Sequence, residues 1–247
     1  MIVTPETIPN NETELMRCLA SWEWRMFSGN LYRIIVKGDD PDDPGTQMPF
    51  KPNRAQRAFL RRLHTRNLIL KARQLGFTTL IAIMWLDHAL FNKDQRCGII
   101  AHSENDVKVI FRDKVRFAYD NLPGFLRRMM PLKKDTAEEL LFAHNNSSVR
   151  VGLSMRSGTI HRLHISEMGK IAAQFPKKAY EIVTGSFPAV PKNGIIVIES
   201  TAEGQSGEFF KIAQKAQKNW ETGKYLASSE YRFHFFPWYD EAHYHLD

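Results

Sequence analysis

The 247-residue chain has few cysteines and no long apolar segment. Cys18 and Cys97 are its only cysteines, so no disulfide framework is expected, and two isolated thiols favour a reducing compartment. Because no stretch of about 18 consecutive apolar residues occurs, no transmembrane helix is expected. Residues 1–14 are polar and carry acids, unlike a signal peptide. The chain also lacks the C-x-x-C and H-E-x-x-H motifs, which are typical of zinc sites.

Acidic residues are outnumbered by basic ones. The chain has 34 Lys and Arg against 27 Asp and Glu, which gives a net charge of +7 and a pI of about 9.4. This balance favours a polyanionic partner. The hydrophobic content of 43% is enough for a full core, and the length suits one α/β domain with small additions.

The order of apolar and polar segments predicts two parts. Residues 1–50 are interpreted as an N-terminal helical extension, helical over 14–37, followed by an acidic, turn-rich loop at 38–45. Residues 51–247 alternate between helices and strands, which predicts an α/β domain with a mostly parallel central sheet flanked by helices. The predicted helices are 52–64, 78–91, 104–119, 177–184 and 207–220, and the predicted strands are 68–71, 97–101, 139–142, 149–153, 163–165, 194–198 and 231–235.

Residues 67–79 carry the most informative motif. An apolar strand is followed by a turn at Gly76 and then by the hydroxyl pair Thr78 and Thr79 at the start of a helix. This is the layout of a phosphate-binding P-loop, whose usual pattern is G-x-x-x-x-G-K-[ST]. Here Lys71 takes the position of the first glycine and Phe77 that of the lysine.

Either the loop is inactive or its positive charge comes from Lys71 or Arg73. We expect a division of roles between these two cations. Lys71 stands at the strand end, where its side chain can cross the loop to the phosphates in the ground state. Arg73 has a planar guanidinium suited to the charge that develops during transfer.

A second motif follows the predicted strand 163–165. In a P-loop ATPase, the loop hydroxyl and a carboxylate after a neighbouring strand position the metal and the water. Thr78 supplies the hydroxyl. Glu167 is the candidate general base, or the group that orients the attacking water. Ser166 stands where an acid is usual, and its hydroxyl can hydrogen-bond to a metal-bound water. Thr78 and Ser166 are therefore the predicted metal-site residues.

A third motif ends the apolar run 195–198. Ser200 and Thr201 follow it, at the edge where ligands bind in parallel sheets. Their hydroxyls can reach a γ-phosphate or its water and relay the loss of that group.

Together these motifs resemble the ATPase domain of the large, motor subunit of the terminase of tailed bacteriophages. The resemblance rests on residues 71–79, 165–167 and 200–202, with support from 52–56 and 236–239. It implies a P-loop NTPase fold of the ASCE type. It also implies that Gln56 contacts adenine, that Glu167 and Arg73 are catalytic, and that Ser200 and Thr201 couple hydrolysis to movement. The implied phosphate-binding residues are Lys71, Gln74, Leu75, Gly76, Phe77, Thr78 and Thr79. The chain departs from the family at Ser166, where aspartate is usual.

The resemblance further implies ATP and Mg²⁺ as ligands. The implied partners are double-stranded DNA, a portal protein, a small terminase subunit and further copies of the chain in a homo-oligomeric ring. The expected location is the host cell cytoplasm and, transiently, the viral procapsid. A C-terminal nuclease domain is expected to be absent from this chain, because Asp240, Glu241 and Asp247 form no acidic metal cluster on their own. Two alternatives stay open: a catalytically silent P-loop module for DNA binding or assembly, and a helicase-like ATPase that depends on nucleic acid.

Overall fold

The structure is a computed structural model that describes residues 2–36, 45–156 and 158–240. The predicted acidic loop lies outside the described residues except for Gly45, and so do Glu241 and Asp247.

The α-helices of the described residues are α1 (Glu12–Ala20), α2 (Trp22–Phe27), α3 (Arg54–Arg61), α4 (Phe77–Phe91), α5 (Glu104–Ile110), α6 (Phe117–Asp120), α7 (Gly124–Met129), α8 (Met168–Gln174), α9 (Pro176–Glu181) and α10 (Gly207–Glu221). The strands are β1 (Arg33–Val36), β2 (Thr46–Pro49), β3 (Arg66–Lys71), β4 (Arg96–Ile100), β5 (Leu132–Asp135), β6 (Glu139–Phe142), β7 (Ser148–Gly152), β8 (Arg162–Ser166), β9 (Ile195–Ser200) and β10 (Arg232–Phe236). π-Helical turns over Phe111–Arg116 and Ile182–Ser186 extend α5 and α9.

Eight of the described strands form one sheet in the order β10-β3-β9-β8-β4-β7-β6-β5. The strands from β10 to β7 run parallel, and β6 and β5 complete one edge in antiparallel orientation. The predicted α/β class with a mostly parallel sheet is therefore confirmed. Strand β9 lies between β3 and β8, so the ends of the three motif-bearing strands meet at one edge of the sheet.

Helix α4 is the central helix of the fold. It is apolar around most of its circumference, with Leu80, Ile81, Trp85 and Leu86 all fully or almost fully buried. A helix that is apolar on all sides needs packing on all sides. Its neighbours include strands β4, β7 and β8 of the sheet and the α5 region.

The helix predicted over 14–37 is wrong in its second half. Gly29 adopts a φ of 78°, which interrupts the helical segment, and the chain continues into β1. The β-branched run at Ile34, Ile35 and Val36 favours a strand, which pairs with β2 in a small antiparallel sheet. The sequence reasoning also missed α7, α8 and β5. Strand β5 carries Lys133 and Lys134 at the sheet edge, and its polar residues gave no strand pattern.

The N-terminal residues contribute to the same core as the α/β part. Cys18, Trp24 and Met26 belong to one apolar cluster with Phe59 and Ile81. The boundary near residue 50 stays a prediction from the sequence.

Candidate functional site

The turn between β3 and α4 has the backbone of a tight loop. Gln74 has a φ of 58° and Gly76 a φ of 68°, the left-handed region that glycine adopts most readily. A Cβ at position 76 would also lie 2.8 Å from Gln56 Nε2. Glycine is therefore required at this position both by backbone conformation and by the close approach of α3.

Gln56 of α3 is hydrogen-bonded to the backbone of this loop. Its Nε2 donates to the carbonyl oxygens of Leu75 (3.2 Å) and Gly76 (3.0 Å), and its Oε1 accepts from the Asn53 amide at 3.0 Å. The side chain is only 5% exposed. The predicted contact of Gln56 with adenine stays a prediction, because in this structure both polar ends of the amide contact the protein itself.

The start of α4 has backbone N–H groups that receive no side-chain cap. The first turn of any α-helix leaves N–H groups without intrahelical partners, and Gly76 brings no side-chain cap. Such a helix start binds anions well. Phe77, at the usual lysine position, is 1% exposed and packs against Phe59 and Phe236 at ring distances of 5.8 and 4.9 Å. Its ring thus anchors the helix start, and only its backbone can face a phosphate.

Lys71 lies where the sequence predicted, at the end of β3 beside the loop. Its Nζ is 3.1 Å from Glu167 Oε1 and 3.3 Å from Glu199 Oε2, and the side chain is only 7% exposed. Burial opposes the charge, but the two carboxylates outweigh it and raise the pKa of Lys71 above its ordinary value. The ammonium is therefore a fixed positive charge at the loop.

Glu167 follows β8 in a left-handed conformation, with a φ of 57°. Its carboxylate is about one-third exposed, which leaves it open to the cleft. Oε2 accepts from Ser200 Oγ at 3.4 Å and from the Thr201 amide at 3.5 Å. The structure therefore places both predicted coupling residues against the predicted catalytic carboxylate.

Ser200 is also tied to α8. Its Oγ accepts from the Gly169 amide at 3.0 Å. A Cβ at Gly169 would lie 2.7 Å from that oxygen, so only glycine allows β9 and α8 to come so close.

The sequence reasoning missed Glu199, the most deeply buried acid of the site. It is fully buried near the end of β9, and its Oε1 accepts from Thr78 Oγ1 (2.5 Å) and Ser166 Oγ (3.2 Å). Burial opposes ionisation, but His164 Nε2 at 3.3 Å and the Lys71 ammonium outweigh it and lower the pKa of Glu199 to about 2. The signal in the sequence was an acid inside an apolar strand, since a buried charge needs a partner.

Both predicted metal-site hydroxyls, Thr78 and Ser166, thus meet on the Glu199 carboxylate. No group among the described residues donates a hydrogen bond to the second oxygen of Glu199, Oε2, although that oxygen is buried. Across the described ranges, no three His, Cys, Asp or Glu side chains cluster as a metal cage would require. The Oε2 atom of Glu199 has the Lys71 ammonium 3.3 Å away as its ion-pair partner. Hydroxyl and carboxylate oxygens fit Mg²⁺, which usually binds through one or two carboxylates together with phosphates and waters.

Thr79 and Arg73 are two further residues of the predicted phosphate-binding segment. Thr79 Oγ1 accepts from Lys114 Nζ at 2.8 Å, and burial lowers the pKa of Lys114 despite the nearby Glu199 charge. Arg73 is exposed at the mouth of a cleft of about 380 Å³ that also reaches Lys71, Glu167 and Lys170. The cleft therefore combines several cations with the partly exposed carboxylate of Glu167.

Comparisons with known proteins identify the fold. No protein-family model matches the chain, and no curated protein matches its sequence. The chain is similar to the crystal structure of the HK97 bacteriophage large terminase, with a TM-score of 0.61 and 14% identity, over 85% of this chain and 44% of that one. It is also similar to the Thermus phage P74-26 large terminase ATPase domain, with a TM-score of 0.57 and 14% identity, over 77% of this chain and 83% of that one.

A mutant of the same P74-26 domain gives a TM-score of 0.56 at 17% identity, over 76% of this chain and 81% of that one. The chain thus spans less than half the length of the HK97 protein and about four-fifths of the P74-26 domain. Its fold is the one found in these phage large-terminase ATPase domains. The resemblance predicted from the sequence motifs is confirmed at the level of fold.

Proposed function

We propose that this chain is the ATP-hydrolysing motor domain of a DNA-packaging terminase and that it moves double-stranded DNA into a procapsid. One observation carries the proposal: a buried cation, an open carboxylate and a free helix start meet at the carboxyl edge of a sheet with the terminase ATPase fold. Lys71 and Glu167, which line the cleft, and the first turn of α4, which follows the loop, together have the charge pattern that a nucleoside triphosphate requires.

Phosphate binding is assigned to the loop and to its two cations. The N–H groups of residues 75–79 and the ammonium of Lys71 offset the charge of the β- and γ-phosphates. Arg73, at the mouth, offsets the charge that develops on the transferred group. Mg²⁺ supplies further charge neutralisation when bound, and Thr78 and Ser166 are the predicted residues on its side of the cleft.

Glu167 is assigned to the attacking water. The Lys71 ammonium lies on one of its oxygens, and the Ser200 hydroxyl and the Thr201 amide lie on the other. These contacts orient the carboxylate without burying it. Because Ser200 and Thr201 touch Glu167 directly, a change at this carboxylate reaches the end of β9, which supports the coupling role.

The proposed partners follow from the same motor role. Duplex DNA, a portal protein, a small terminase subunit and a ring of identical subunits are proposed, with the complex in the host cell cytoplasm and transiently on the procapsid. The described helices include none long and apolar enough to span a membrane. Arg54, Arg57 and Arg61 are exposed on α3, in a chain with a net charge of +7. Binding to DNA should therefore be weak, independent of sequence and strongly salt-dependent.

Nucleotide turnover by purified protein, alone and with duplex DNA, tests the proposal. Wild type should hydrolyse ATP. Glu167→Gln should retain ATP binding and lose turnover by about 10²-fold or more, the scale of a lost general base. Glu221→Gln, at the exposed end of α10, removes the same charge far from the loop and should match wild type.

Each other outcome points to a different function. Wild type that binds nucleotide but never hydrolyses it would support the silent assembly module. Turnover accompanied by strand separation would support the helicase-like reading. Normal turnover by Glu167→Gln would remove that residue from the mechanism.

A further inference from the structure

The ends of the adjacent strands β8 and β9 differ in which of them carries an acidic residue. Strand β8 ends at Ser166, where an acid is usual, and β9 carries Glu199 in the neighbouring strand. The register of the sheet pairs Ser166 directly with Glu199. The acid that is missing from one strand is therefore present one strand away, at the same level of the sheet.

Glu199 also makes the contact that identifies such an acid. Its Oε1 accepts a hydrogen bond from the loop hydroxyl of Thr78 at 2.5 Å and another from Ser166 at 3.2 Å. Its Oε2 is buried, faces Lys71 Nζ at 3.3 Å and accepts no hydrogen bond from any described residue. A carboxylate oxygen has two acceptor sites, so Oε2 keeps capacity for a ligand in addition to the Lys71 ammonium.

We propose that Glu199 replaces the missing acid of β8 and, together with Thr78, binds the Mg²⁺ that accompanies the nucleotide. This inference rests on the proposed ATPase function, which supplies the nucleotide. Glu167, one residue after Ser166, is then left for the attacking water. The two carboxylates on Lys71 have separate tasks, one at the metal and one at the water.

The competing explanation is that Glu199 only compensates the charge of Lys71. Lys71 already has a second carboxylate, Glu167, at 3.1 Å. The two explanations predict different effects of removing the charge. A counter-ion acts on nucleotide affinity whether or not metal is present, whereas a metal-binding carboxylate acts only when Mg²⁺ is present.

Equilibrium binding of a non-hydrolysable ATP analogue separates the two, measured with Mg²⁺ and with a chelator. In Glu199→Gln, Mg²⁺ should bind to the protein–nucleotide complex about 10- to 100-fold more weakly, the range seen when a metal-site partner is lost. Affinity for the metal-free analogue should be unchanged or higher, because one negative charge has left the cleft. Equal losses with and without Mg²⁺ would overturn the proposal. Glu221→Gln is again the charge-matched control.

A rescue variant makes the test specific to this position. Glu199→Gln combined with Ser166→Asp moves the carboxylate to the paired position on β8 and should recover part of the Mg²⁺ dependence. A double variant that binds Mg²⁺ no better than Glu199→Gln would contradict the proposed replacement. If Glu199→Gln does not fold, Glu199→Asp shortens the same carboxylate and should weaken Mg²⁺ binding alone. An unchanged Mg²⁺ dependence in Glu199→Asp would overturn the proposal.

These outcomes are distinguishable from failure of the proposed function. Wild type that binds no nucleotide overturns both. Wild type that binds the analogue without any contribution of Glu199 to the metal overturns only this inference. A domain that binds Mg²⁺ through Glu199 yet hydrolyses no ATP overturns only the ATPase assignment.

Discussion

Each end of helix α4 has a buried acid, Asp87 within its last turns and Glu199 of β9 beside its first turn, and the two acids differ in their hydrogen bonds. Asp87, in the last turns, is 1% exposed and accepts from Arg25 at 2.7 and 2.9 Å and from Tyr32 at 2.7 Å. Glu199, beside the first turn, is fully buried and has one oxygen to which no described residue donates a hydrogen bond.

This difference distinguishes a cluster that stabilises the fold from a cluster that is a candidate ligand site. The Asp87 cluster is closed: Arg25 forms a bidentate pair with the carboxylate, donates to the Leu19 carbonyl and stacks on Phe91 at 4.0 Å. Nothing there is left for a ligand. In the loop cluster, formed by Lys71, Glu167 and Glu199, the Oε2 atom of Glu199 accepts no hydrogen bond from a described residue and has the Lys71 ammonium 3.3 Å away. Both clusters carry buried charge, so burial alone does not identify a site; we expect unused acceptor capacity beside a cleft to do so.

Breaking the closed cluster should have the largest effect on stability. Asp87→Ala leaves the Arg25 guanidinium buried without its partner and should lower the free energy of unfolding by about 3–5 kcal/mol. Urea unfolding measures it. Tyr32→Phe, which removes one hydrogen bond from the same carboxylate, should lower it by only about 1 kcal/mol. Equal effects of the two variants would show that the ion pair is not the dominant contact.

Changes at the loop should instead affect ATP binding and hydrolysis. Lys71→Ala should weaken ATP binding and abolish hydrolysis, because the loop has no lysine at its usual position. Arg73→Ala should lower turnover by about 10²-fold with a smaller change in affinity. Nucleotide titration and turnover of both variants provide the measurement. If Lys71→Ala binds and hydrolyses ATP like wild type, the displaced-lysine model is wrong.

The contact between α8 and β9 tests whether Glu167 needs its support. Gly169→Ala places a Cβ 2.7 Å from Ser200 Oγ and 3.1 Å from the Thr201 carbonyl oxygen. It should lower the free energy of unfolding by about 1–3 kcal/mol, as overpacking does, and should reduce turnover by displacing the groups bonded to Glu167. Gly124→Ala, whose Cβ meets only the Arg128 side chain at 3.6 Å, is the control and should be tolerated.

A buried histidine tests this rule at a position away from the cleft. His234 on β10 is 1% exposed, and its Nδ1 has no hydrogen bond from any described residue, yet it packs on Phe59 beneath the sheet edge and away from the cleft. Burial, with added repulsion from Arg62 and Arg232, lowers the pKa of His234 to about 3. In the unfolded chain the same imidazole has a pKa of about 6.5. As the pH falls, the unfolded state therefore takes up the proton before the folded state does.

The stability that neutral His234 contributes is therefore full above about pH 6.5 and is lost towards pH 3. Its slope is about 1.4 kcal/mol per pH unit. His234→Gln should flatten this acid loss in thermal unfolding across pH 4–7, with ATP binding at pH 7.5 unchanged. Weaker nucleotide binding in that variant would contradict the rule, because His234, whose Nδ1 lacks a hydrogen bond from any described residue and lies away from the cleft, would then be functional.

The sequence predicted the parts of the site that depend on local pattern. Apolar runs bounded by turn residues located β3, β8 and β9, and parallel strand ends meet at one edge, so Lys71, Glu167 and Ser200 were expected together. The roles that depend on register were not predictable. Ser166 bonds to Glu199 because two strands pair at that level, and nothing in either segment encodes the pairing by itself. Gln56 reaches the loop through the packing of α3, which is likewise a tertiary contact.

The buried ring of Phe77 predicts that replacing it with the lysine usual at this position would destabilise the loop. Restoring lysine at position 77 would bring back the standard motif on paper. It would also place an ammonium where the Phe77 side chain is now 1% exposed, between the rings of Phe59 and Phe236. The Ala72 amide donates to the Phe236 carbonyl, so the same disruption would detach the loop from β10. We therefore expect the charge at position 71 and the aromatic ring at position 77 to depend on each other, so that exchanging one alone would impair both the loop and the core.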